Sequence, residues 1–64
     1  MEKLSKEESN IINLMTEGYR IKEIAAKYEK SLDKVNVIVA RMMRRYGCRT
    51  SIQLVAKLFR EEFL

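Results

Sequence analysis

Between Val35 and Tyr46 the residues Val35, Ile38, Val39, Met42, Met43 and Tyr46 recur at intervals of three and four. This is the period of a helix that buries one side. On a helical wheel they fill an arc of roughly 140°, and Asn36, Val37, Ala40, Arg41, Arg44 and Arg45 lie opposite, with Lys34 at the helix start. The two methionines on the arc therefore read as packing. In a chain of 64 residues there is room for one small domain, 1–64, and no more. A domain of that size buries only about 60% of its unfolded surface, so its core is thin. No metal or cross-link supplements it, because His is absent and Cys occurs once, which excludes a zinc site or a disulfide framework within one chain.

The rest of the chain is punctuated into further helices. Ser5-Lys6-Glu7-Glu8 has the form of a capping box, with Leu4 and Ile11 or Ile12 as a staple across the first turn. Ile11, Leu14 and Met15 keep helical spacing as far as Gly18, which suits the residue after a helix end. A short second helix is expected over about Ile21 to Tyr28, with Ile24, Ala25 and Tyr28 on its inner side and Glu29-Lys30 as a turn. Ser31 then caps the third helix, Asp33 sits in its first turn where the helix dipole favours an anion, and Gly47 ends it. Thr50-Ser51-Ile52-Gln53 reads as a second capping box, opening a fourth helix that continues nearly to the C-terminus. Nothing alternates with period two. The expected class is all-α, with four helices.

Charge divides the chain. The net charge is +4, yet from Lys34 to Arg60 the charged residues are Lys34, Arg41, Arg44, Arg45, Arg49, Lys57 and Arg60, with every Asp and Glu outside. Such a half is the footprint of a polyanion binder, and equally of a solvated surface. The outward side of the third helix favours the first reading. Val37 and Ala40 sit among Asn36, Arg41 and Arg44, and small apolar groups beside polar ones suit close approach to base edges and thymine methyls in a major groove.

These residues also carry a family pattern. LSKEESNIINLMTEGYRIKEIAAKY, SLDKV, the junction from Tyr46 to Ser51 and QLVA resemble the LuxR/FixJ-type (GerE-like) helix-turn-helix domain. Leu4, Glu8, Glu17, Gly18, Lys22, Glu23, Ile24, Ala25, Ser31, Val35, Gly47, Leu54, Val55 and Ala56 fall on matching places, over about Leu4 to Leu58. The lone thiol of Cys48 fits a reducing cytoplasm, and the resemblance implies a sequence-specific regulator of transcription that binds double-stranded DNA. It would be a small stand-alone member, beginning at Met1, with neither receiver nor autoinducer domain. The helix from about Leu32 to Tyr46 would be the recognition helix. Asn36, Val37 and Ala40 would face base edges, joined on the wheel by Arg41 and Arg44. Lys22 and Arg49 would sit by phosphates, with Lys34 and Arg45 added from the charge pattern.

The chain also departs from that pattern. Lys34, Asn36 and Ile38 stand where relatives often have Thr, Lys and His, and Ile38 is expected to turn inward. Glu29 replaces a turn glycine, costing about 1 kcal/mol if that position is left-handed. The run from Val35 to Arg41 is similar to the recognition helix of sigma-factor region 4, a module that reads promoter DNA while touching RNA polymerase. The Gly47-Cys48-Arg49-Thr50-Ser51 junction and the helix after it favour the LuxR type. A third reading keeps the fold as a protein-docking module on a polymerase or another regulator.

The fourth helix carries surplus apolar surface. Leu54, Leu58, Val55, Phe59, Ile52, Phe63 and Ala56 cover roughly 200°, where one small core needs about half of that. A homodimer through Val55, Phe59 and Phe63 accounts for the excess, and the resemblance points the same way; a cap folded over a thin core is the alternative. Cys48 reads as a buried hydrophobe, with redox sensing as the second reading. Tyr19 and Tyr28 are expected around the second helix. No catalytic constellation, metal site, cofactor or small-molecule ligand is expected, and no apolar run is long enough to span a membrane.

Overall fold

The computed structural model describes residues 4–61, which form α1 (Lys6–Thr16), α2 (Ile21–Lys27), α3 (Leu32–Tyr46) and α4 (Ser51–Arg60). Among the described residues there is no strand. Each helix starts where a side chain takes up an otherwise orphaned amide. The Ser5 box is complete: the Glu8 amide donates to Ser5 Oγ at 3.1 Å and the Ser5 amide to Glu8 Oε1 at 3.0 Å. At α2 the Arg20 amide donates to Glu23 Oε1 at 2.8 Å, a cap that the sequence reading did not single out. Ser31 Oγ accepts from the Lys34 amide at 3.1 Å to open α3. The box at α4 is half of the expected one. Thr50 Oγ1 accepts from the Gln53 amide, but Gln53 Oε1 reaches past Thr50 to the Arg49 amide at 2.7 Å.

The first three helices end alike. The residue after the last turn is left-handed, and the amide beyond it reaches back five positions. Gly18 (φ 97°) carries Tyr19 N–H to Leu14 O, Glu29 (φ 55°) carries Lys30 N–H to Ala25 O, and Gly47 (φ 69°) carries Cys48 N–H to Met43 O. Two of the three positions have the residue this geometry favours. Glu29 does not, and its left-handed backbone makes the strain attached to the missing turn glycine real.

Every helix contributes to the core, which consists of Ile11, Ile12, Leu14, Ile24, Ala25, Val35, Val39, Met42, Leu54 and Leu58. Ile38, Met43 and Tyr46 pack around it half-buried, as do Leu4, Val55 and Cys48. The α3 arc is therefore the inward side, and Ile38 does turn toward the core. Helix α2 packs on α3, α3 on α4, and α1 on both α2 and α4. Tyr28 is a correction. Helix α2 ends at Lys27, so Tyr28 lies at its exit, 37% exposed, and leaves the inner side to Ile24 and Ala25.

One long-range pair ties the start of α1 to the end of α3. Arg45 meets Glu8 Oε2 at 2.5 Å, and the Arg45 guanidinium lies 5.3 Å from the centre of the Tyr46 ring. Partial burial pushes the Glu8 carboxyl up, but the Ser5 amide and the Arg45 guanidinium outweigh that and hold it below its ordinary value. At the neighbouring Glu7, the hydrogen bond from Lys30 lowers the carboxyl further than the charge of nearby Lys34 does.

Candidate nucleic-acid interface

The outward side of α3 is built by the same period that buries the other side. With Val35, Val39 and Met42 fully inside, positions a third of a turn or more away must face solvent. Asn36, Val37, Arg41 and Arg44 are exposed, and Ala40 is half-buried at the edge of this surface. Val37 is 48% exposed despite its apolar side chain. Arg41 and Arg44 form no ion pair among the described residues, which leaves both guanidinium groups available to an external anion.

The cations expected at phosphates fall into two groups. Lys22 on α2 and Arg49 at the α3–α4 junction are exposed, and Gln53 fixes the backbone of Arg49 through its amide. Lys34 is exposed but lies close enough to act on Glu7. Arg45 has another partner than the expected phosphate: it is held on Glu8 and over the Tyr46 ring, as a strut between α1 and α3. Its pairing competes with any phosphate contact.

Asp33, read from the sequence only as a first-turn anion, also belongs to this surface. Asp33 is exposed on the outward side, while Leu32, 45% exposed at the helix start, continues the line of Val35 and Val39. Asp33 lies one turn before Val37, and that spacing was the available signal. Asp33 forms no ion pair among the described residues.

A second surface lies on α4. Ile52 is 81% exposed and Phe59 68% exposed, and Val55 is half-buried between them. Together with Met15, Tyr19 and Ile21 they line an open apolar groove between α4 and the α1–α2 turn. Of the three residues expected at a dimer seam, Val55 and Phe59 share this groove, and Phe63 lies outside the described residues. The thiol of Cys48 is half-buried and donates to the Tyr46 carbonyl at 3.7 Å, which fits a packed residue. Among the described residues there is no cluster of metal-ligating side chains and no helix long and apolar enough to cross a membrane.

The GerE family model, described as bacterial regulatory proteins of the luxR family, matches residues 2–58. Comparison with curated proteins found no match, and comparison with solved structures found none.

Proposed function

The chain belongs to the luxR family of bacterial regulatory proteins, whose domain is a DNA-binding helix-turn-helix, and from that premise we propose that it reads specific duplex sites by laying α3 in the major groove. The observation that carries this reading is the composition of one surface. The outward side of α3 presents Asn36, Val37, Arg41 and Arg44 to solvent, at the start of a segment without a single acid from Lys34 to Arg60. Arginines on such a side grip phosphates or the N7/O6 edge of guanine, while Asn36, Val37 and Ala40 come close enough to distinguish bases. Lys22 and Arg49 fix the approach at the phosphates from α2 and from the α3–α4 junction.

The chain acts as a homodimer in this reading. Ile52 and Phe59 leave an apolar strip of α4 uncovered, and a two-fold pairing of that strip sets two copies of α3 on half-sites about one helical turn apart. Gel shifts on random duplex across a salt series test the proposal. The expected result is a complex that weakens steeply with salt, because each phosphate contact releases condensed counterions. No complex at low salt would overturn DNA reading and leave the fold as a docking module for a polymerase or a regulator.

A further inference from the structure

Asp33 is the one carboxylate on the outward side of α3, and Val37 follows it by one turn. Both are exposed, and Asp33 has no ion pair among the described residues. We infer that Asp33 and Val37 together set the sequence preference of this helix, Asp33 by accepting from the exocyclic amino group of a cytosine or adenine and Val37 by packing on the C5-methyl of a thymine. The inference rests on the reading of α3 as the groove helix.

The chemistry of the groove selects these partners. An ionised carboxylate has only acceptor sites, so phosphates, N7 atoms and carbonyl edges all repel it. The donors on the major-groove edges are N4 of cytosine and N6 of adenine. An acidic residue here thus penalises every contact except those with amino-bearing bases. Val37 has the complementary limitation. It offers no hydrogen bond, and its burial is favourable only against apolar surface, which the major-groove edge supplies as the thymine methyl. Four residues of helix rise about 6 Å, so the two side chains address bases about two steps apart along a strand. Arg41, one turn after Val37, continues the same line toward phosphate or guanine.

Asp33 also lies in the first turn of α3, where a negative charge stabilises the helix. The two roles separate by readout: a helix-end role moves stability, and a base-reading role moves the selected sequence. The experiment is selection of bound duplexes from a random library with the full chain and with Asp33→Ala, Asp33→Asn and Val37→Ala, each checked for folding by thermal melting. The parent chain is expected to select a motif holding a thymine about two steps from a cytosine or adenine. Asp33→Ala should lose about tenfold preference at the amino-bearing base, the scale of a single charge-assisted hydrogen bond. Asp33→Asn should move that position toward adenine, whose edge offers a donor and an acceptor together. Replacing the selected thymine by deoxyuridine should weaken the parent about fourfold, the value of one buried methyl, and leave Val37→Ala indifferent.

An unchanged motif in Asp33→Ala and Val37→Ala, with uracil bound as well as thymine, would overturn the inference while leaving DNA binding intact. A lower melting temperature for Asp33→Ala with the same motif would do so too, assigning the carboxylate to the helix end. Absence of any salt-dependent binding by the parent would overturn the underlying reading and the inference with it.

Discussion

Replacing Glu29 by glycine should make this domain more stable. Glu29 has φ 55° in the turn that joins α2 to α3, and an L side chain in that region costs about 1–2 kcal/mol. Glycine removes the clash but has more freedom to lose from the unfolded chain, which takes back about 0.4–1 kcal/mol. The Glu29 side chain is exposed and forms no ion pair among the described residues, so no contact is lost with it. The net gain expected for Glu29→Gly is about 0.5–1 kcal/mol. In a domain this small that raises the melting temperature by roughly 3–6 °C. Gly47→Ala makes the same comparison in reverse. A Cβ at Gly47 meets nothing within 4 Å, so its cost is backbone strain alone, a loss of about 1 kcal/mol. Thermal and urea unfolding at neutral pH measure both. A Glu29→Gly variant no more stable than the parent, beside a clearly destabilised Gly47→Ala, would refute the strain argument for the α2–α3 turn.

Changing Arg41 and Arg44 together to alanine should weaken DNA binding at least about tenfold and flatten its salt dependence, with the melting temperature little changed because both side chains project into solvent; binding titrations at several salt concentrations check this. Glu8 should make the domain acid-sensitive. Its folded-state value lies below the ordinary 4.5, so the stability it contributes is complete above that value and is lost as pH falls through the lower folded one. Glu8→Gln should therefore melt less differently between pH 7 and pH 3 than the parent does. Phe59→Asp should convert a dimer to a monomer by light scattering at high micromolar concentration; a parent already monomeric there, on and off DNA, would remove α4 as the seam.

What the sequence made legible is what short-range chemistry determines. Ser5 with Glu8, and Ser31 before Leu32, are cap patterns closed within three residues, and they fall where the pattern puts them. The arc of α3 is equally local, and its six apolar residues all face the core, buried or half-buried. Tyr28 was misplaced by one residue of helix length: with α2 ending at Lys27 the ring leaves the inner side. The Gln53 side chain had two amides within reach, Thr50 and Arg49, and pattern alone did not choose between them. Arg45 was beyond any local rule. Its partner Glu8 lies 37 positions away, brought near only when α1 and the end of α3 share one core, so no local pattern could show the pair.

The two sets of exposed apolar residues differ in a way that assigns them to different partners. On α3, Val37 stands singly, with Asp33, Asn36, Arg41 and Arg44 on the same surface. A protein partner burying that side would have to desolvate several charges to cover one small hydrophobe, an unfavourable exchange unless each charge is paired. A nucleic-acid groove supplies the pairing for the arginines and offers isolated methyls for the hydrophobe. On α4, Ile52 and Phe59 border a continuous groove with Met15, Tyr19 and Ile21, where few charges need desolvation and contiguous apolar area can be buried. That surface suits a second helix, and in the proposed homodimer it would receive one from the partner copy. The polar frame around Val37 and its absence around Phe59 thus support the proposed division between a groove-reading surface and an assembling one.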